Sequence, residues 1–162
     1  RDRSPSRGLG DVYKRQHYEQ FDKQIETNLK GAYFLSQKFL RMYEKKHRNG
    51  GSILFLSSER GHYADDLPYG LIKAAINSLT QGLAKMLIHS NIRINAIAPG
   101  ITTTDMTGIT KDDIYADDYS TGRYYLPEEV AEVACFLVSD ASSCLSGQII
   151  ICNNGDSINY RK

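Results

Sequence analysis

The chain has 162 residues, 41% of them apolar, and a formal charge of +1, enough for one domain with an ordinary core. That charge balance excludes nucleic acid or an anionic membrane as the principal partner, since both require a clustered basic face. No apolar run approaches the ~18 residues of a membrane span and no secretory h-region is evident, so a cytoplasmic location is expected. Cys135, Cys144 and Cys152 lack metal-ligand spacing; they read as reduced cysteines, two of them small hydrophobes in apolar surroundings, with no metal site.

Residues 1–16 (RDRSPSRGLGDVYKRQ) are basic, poor in apolar residues and without periodicity, and are expected to be a disordered or non-native leader. Ser4-Pro-Ser-Arg-Gly-Leu-Gly10 has the outline of a phosphate-binding glycine loop, but no buried strand precedes it and no helix follows directly. From residue 17 to about 46, Phe21, Ile25, Leu29, Ala32, Ser36, Phe39, Leu40 and Tyr43 recur at helical spacing and predict one long helix with a face for a sheet. Its last turn carries Glu44-Lys-Lys-His-Arg48, a solvated run that suits the helix dipole, and Asn49-Gly-Gly51 ends it. Residues 52–57 then predict a buried parallel strand around Ile53-Leu-Phe-Leu56, leaving Ser57-Ser58 where such strands end and substrates bind.

The loop 59–68 (ERGHYADDLP) places His62 near the chemistry, although a single loop histidine is more often simply exposed. Asp65-Asp66 reads as loop solvation and a charge near the next helix start. That helix, predicted over 68–90, has an apolar band of Leu71, Ala74, Ala75, Ser78, Leu79, Gly82, Leu83, Met86 and Leu87, too wide for one sheet contact. A second partner surface is implied. Residues 92–98 (IRINAIA) predict the next strand, interrupted in pattern by Arg93 and Asn95, and Pro99-Gly100 a turn. Residues 107–125 are polar, aromatic and irregular, as suits a mobile lid. A structural helix follows from Leu126-Pro-Glu-Glu, and residues 146–152 predict the last strand.

Of eleven tyrosines only Tyr69 has a lysine four positions on, Lys73, one helical turn along the same face. A neighbouring cation favours phenolate, and an acid/base tyrosine needs one because free tyrosine titrates near pH ~10. Tyr69 is therefore the candidate proton donor, and Ser58 a hydrogen-bond donor to a carbonyl oxygen.

Strand, Ser58, loop, Tyr69-x-x-x-Lys73, long helix and a second strand ending in Asn95-Ala-Ile-Ala-Pro-Gly100 together resemble the classical short-chain dehydrogenases/reductases, from about Gln20 to about Ile158. The nearest likeness is to the 3-oxoacyl carrier-protein reductases and general alcohol or sugar dehydrogenases. The resemblance implies an α/β fold: the C-terminal half of a Rossmann-like doubly wound parallel sheet, three parallel strands with flanking helices, over residues 17–162. The N-terminal half, with its glycine loop, would be missing, and residues 1–16 would be a cloning or assembly scar.

The resemblance also implies NAD or NADP as cofactor and a small-molecule carbonyl or alcohol as substrate. Tyr69 would transfer the proton, Ser58 polarise the carbonyl, Lys73 favour the phenolate and hold the ribose, and Asn28, in Thr27-Asn-Leu-Lys-Gly-Ala-Tyr33, link Lys73 to solvent through water. Pro99, Gly100, Thr102 and Thr104 would lie along the nicotinamide, with the Thr102 backbone toward the ring amide and the Thr104 hydroxyl on the carboxamide. A homodimer or homotetramer is expected through the two long helices. Asp156 stands where the family commonly has glycine. A noncatalytic binding or oligomerising module, or an extended-type isomerase or dehydratase, is the alternative. The chain alone is expected to turn over little and, with an unpaired apolar strand edge, to aggregate.

Overall fold

Two apolar runs separated by a long amphipathic helix form neighbouring parallel strands, because only a crossover of a dozen or more residues can return the chain in the same direction. The computed structural model describes residues 17–47, 50–117 and 119–158; residues 1–16, expected from the sequence to be a leader, lie outside the described residues. Strands β1 (Gly51–Leu56), β2 (Ile92–Pro99) and β3 (Ile149–Cys152) make one parallel sheet in the order β1-β2-β3. Gly51 through Leu56 pair with Ile92 through Ile97, and Ala96 through Pro99 with Ile149 through Cys152. β2 is central and covered on both faces, so Ile94, Asn95, Ala96 and Ala98 are wholly buried.

Helices α1 (Tyr18–Gln24), α2 (Gly31–Lys45), α3 (Pro68–Met86) and α4 (Pro127–Val138) flank the sheet. Leu29, Leu40, Tyr43, Ile76 and Ala84 pack with Phe55, Ile92, Ile94 and Ala96 on one face; Val130 and Leu137 pack with Ile97 on the other. That two-sided covering is the doubly wound arrangement. Among the described residues no helix is long and apolar enough to cross a membrane.

Four details depart from the sequence reading. The single long helix is interrupted by a π-helical stretch, Ile25–Lys30, where the Gly31 N–H reaches the Glu26 carbonyl five residues back. In α3 the buried face also holds Ile72, Lys73, Ile76, Thr80 and Ala84, which the predicted band lacks; Leu79, Leu83 and Leu87 of that band pack against the core, and Leu71, Ala74, Ser78, Gly82 and Met86 are exposed. The helix also stops at Met86, because the chain must turn into Asn91, whose φ of 54° asparagine tolerates. Cys135 and Cys144 are exposed and Cys152 is half-buried, so the first two are not core hydrophobes.

Arg93 and Asn95, which mar the strand pattern, carry the fold's amino-end wiring. Arg93 donates to the carbonyls of Leu137 (2.9 Å) and Ser139 (2.9 Å) and to the Ser142 hydroxyl (2.9 Å). Asn95 donates to the Leu145 carbonyl at 2.9 Å and accepts from the Gln148 N–H at 3.0 Å, steering the chain into β3. The irregular 107–125 segment is also tied down: Thr102 bridges Tyr125, Tyr115 bridges Arg123, and Tyr125 is buried.

Candidate active site

At the carboxyl end of β1 the Ser57 N–H still pairs with the Ile97 carbonyl at 2.7 Å, then the chain leaves the sheet. The two serines part company there. Ser57 donates to Asn77 Oδ1 (2.6 Å), and lies 3.3 Å from the Lys73 carbonyl, which ties the strand end to α3. Ser58 accepts from the Arg60 N–H at 3.3 Å, capping a 3₁₀ turn, Glu59–Gly61, and its own proton remains available. The turn presses on α3 so closely that a Cβ on Gly61 would sit 2.6 Å from the Lys73 backbone carbon. Glycine is required there.

Helix α3 starts with Pro68 after an extended Leu67, which puts Tyr69 in the first turn and Lys73 one turn on, beneath it. The Lys73 ammonium lies 5.4 Å from the Tyr69 ring centroid and donates to the Leu56 carbonyl at 2.8 Å. Burial holds the Lys73 pKa below the usual lysine range, since desolvation penalises the charged form. One carbonyl satisfies one of three ammonium donors, and the other two have no partner among the described residues. The Tyr69 hydroxyl makes no hydrogen bond with the described residues. Asn28 sits on the π-helical stretch, its side-chain amide 3.3 Å from the Gln24 carbonyl.

One cavity of about 340 Å³ is lined by Asn28, Ser58, Tyr69 and Lys73, and also by Pro99, Gly100, Thr102 and Thr104 from the turn after β2. The eight residues singled out in the sequence thus border the same space. The turn holds itself together through Thr107, which the sequence reading did not weigh. Its hydroxyl lies 2.8 Å from the Thr102 carbonyl and 2.9 Å from that of Thr104, and it accepts from the Thr104 N–H at 3.1 Å. Thr102 turns its own hydroxyl onto the Gly100 carbonyl at 2.9 Å. A threonine three residues after another in a turn was the available signal.

The loop between Ser58 and Tyr69 corrects the sequence reading more sharply. Asp65 is not a solvated acid: its side chain is 4% exposed and forms a two-pronged pair with Arg60, to Nε at 2.6 Å and Nη2 at 2.8 Å. It also accepts from the Leu67 N–H at 3.0 Å and packs against Gly70, where a Cβ would collide with the carboxylate. Burial pushes the Asp65 pKa up, but the hydrogen bonds from Arg60 and the backbone outweigh it and hold the group below the usual carboxylate value. Arg60 borders the cavity; His62 is exposed and does not.

Behind this wall, Glu59 is buried and accepts from Asn153 Nδ2 at 2.8 Å, and burial raises its pKa. Asn153 belongs to the closing turn. There Asn154 and Gly155 adopt positive φ while Asp156 does not, so its side chain costs the turn no strain, and it accepts a hydrogen bond from Ser120.

Comparison with known proteins places this geometry. A family profile described as Enoyl-(Acyl carrier protein) reductase matches residues 5–157. The chain is 39% identical over 142 residues to a 3-oxoacyl-[acyl-carrier-protein] reductase FabG of Thermotoga maritima, covering 85% of this chain and 57% of that protein. It is 37% identical over 146 residues to an NAD-dependent glycerol dehydrogenase of Listeria innocua, covering 86% and 57%. A solved 3-ketoacyl-(acyl-carrier-protein) reductase from Brucella melitensis, complexed with NADH, superposes with a TM-score of 0.76 at 27% identity, covering 90% of this chain and 61% of that one. The chain spans a little over half the length of the curated relatives it matches.

Proposed function

Because this chain belongs to the short-chain dehydrogenase/reductase family, we propose that its cavity is the chemical centre of an NAD(P)-dependent oxidoreductase acting on a small carbonyl or alcohol. The observation carrying this reading is that Asn28, Ser58, Tyr69 and Lys73 border one cavity with the Pro99–Thr104 turn. The donor set fits the nicotinamide-ribose end of such a cofactor: two unmatched ammonium donors on Lys73 suit vicinal hydroxyls, and the glycine backbone permits close approach of a flat ring. When bound, the cofactor supplies or accepts the hydride.

The side chains divide the remaining work. Ser58 donates to the substrate oxygen and fixes where it sits. Tyr69, whose hydroxyl is unpaired, gives that oxygen a proton during reduction and takes it back during oxidation. Lys73, held in place by the Leu56 carbonyl, favours the phenolate that results and orients the ribose. Asn28, on the widened turn of the helix and bordering the same cavity, links the Lys73 ammonium to solvent through water in this reading.

The test is Tyr69→Phe, read as ketone reduction in a coupled absorbance assay of the reduced cofactor alongside a melting curve. Turnover falls by about 10² to 10⁴ with the melt unchanged. A folded variant keeping most of its turnover overturns the assignment. The exposed side of α3, with Leu71 and Met86, supports assembly as a homodimer or homotetramer, which sedimentation velocity measures directly.

A further inference from the structure

The cavity's charged lining consists of two cations, Lys73 and Arg60, and no carboxylate among the described residues borders it. Lys73 is engaged with β1 and the catalytic tyrosine. Arg60 is not accounted for by the reaction. It stands two residues after Ser58, and its N–H is what the Ser58 hydroxyl accepts from, so its backbone is locked to the group that receives the carbonyl oxygen.

The guanidinium is equally fixed. Asp65 takes Nε at 2.6 Å and Nη2 at 2.8 Å, a fork-to-fork pair that sets the plane of the group, while Nη1 makes no hydrogen bond with the described residues. Tying the loop to α3 does not require this pair. Asn77 already donates to the Gly61 carbonyl at 2.9 Å and accepts from Ser57 at 2.6 Å, and Gly61 sits so near α3 that there is no room for a Cβ. Arg60 is thus a preorganised donor, free at one nitrogen, at the border of the substrate space.

We propose that Arg60 is the specificity-determining residue of this site and selects oxo and hydroxy acids, holding the substrate carboxylate through Nη1 while the carbonyl oxygen rests between Ser58 and Tyr69. Asp65 is a positioning residue that aims the guanidinium. The proposal rests on the redox reading above and names its substrate class. Because Asp65 balances one of the two cations, the cavity keeps a net positive charge with Lys73 protonated, and an anion is favoured there over its neutral counterpart.

The experiment compares acetoacetate with methyl acetoacetate, which differ in the carboxylate charge and little else near the ketone. The full 162-residue chain is titrated with each by calorimetry, with Arg60→Gln and Arg60→Lys in parallel, and each variant's melting curve is recorded. The acid binds about tenfold or more tightly than the ester; Arg60→Gln abolishes that preference by weakening the acid and sparing the ester, and Arg60→Lys keeps part of it. Equal binding of acid and ester, no binding of the acid, or an Arg60→Gln variant that keeps the preference each overturns the proposal. Should Arg60→Gln fail to fold, the acid-to-ester ratio in the native chain and in Arg60→Lys decides. Equal turnover of acid and ester would discard the role of Arg60 and keep the redox reading. Arg60-dependent acid binding with no turnover in the presence of cofactor would do the reverse.

Discussion

The two ends of β2 use the same kinds of polar side chain to opposite effect. At the amino end, the Arg93 guanidinium and the Asn95 amide meet carbonyls, a hydroxyl and an N–H within the chain, and Asn95 is wholly buried. At the carboxyl end, counting partners among the described residues, Ser58 retains a free proton, Tyr69 an unpaired hydroxyl, Lys73 two ammonium donors and Arg60 one nitrogen. A polar group that is fully matched inside the protein stabilises; one that is fixed in place but incompletely matched is ready for something that is not yet there. Parallel strands impose this division, because ligands bind outside their carboxyl ends.

The contrast predicts that substitutions at the two ends damage different properties. The largest effect is expected at the carboxyl end, where Lys73→Met lowers turnover by about 10²-fold or more. Stability falls only slightly, since losing a buried charge offsets leaving the Leu56 carbonyl without its partner; parallel kinetics and thermal melts check this, and a melt that collapses with activity would break the comparison. At the amino end Asn95→Ala leaves the Leu145 carbonyl and Gln148 N–H unmatched in the core. It should cost about 3 kcal/mol in urea unfolding and leave the Michaelis constant alone.

Smaller effects sharpen the boundary between the ends. Glu59, beside the site but matched to Asn153, has a pKa raised by burial, so its contribution is fully present below the ordinary glutamate value of 4.5 and is lost as pH rises through the higher folded value. Glu59→Gln should therefore raise the melting temperature at pH 8 and do little at pH 4, a pattern read from melts across that range. Glu129, which does not border the cavity, is paired with Arg123 at 2.6 Å and accepts from the Leu126 N–H, which lowers its pKa to about 2. Its contribution is present above 4.5 and lost as pH falls toward about 2. The pair is exposed, so Glu129→Gln should give the smallest shift of the set, visible at pH 7 and gone near pH 2.

What was legible beforehand followed from local rules. Helical spacing located Tyr69 and Lys73 on one face, apolar runs located β1 and β2, and the Pro99-Gly100 pair located the turn that completes the cavity wall. The misreadings were of two sorts. The apolar band predicted for α3 omitted Ile72, Ile76 and Thr80, which are buried, because Ala, Ser and Gly fit either a covered or an open face, and only packing against Phe55 and Ile94 decides which residues face the sheet. Asp65 looked solvated because its partner, Arg60, lies five residues away across a loop with no periodicity to relate them.

The sequence by itself determined the order of strands and helices and the spacing of tyrosine, lysine and serine, since elements follow backbone periods of 2 and 3.6 residues that the order of apolar and polar residues reports directly. Only the tertiary structure decided which of two adjacent serines faces the cavity, which acid is buried, and which cations keep a free donor. Those outcomes depend on the distances between side chains brought together by folding, and no local pattern encodes them.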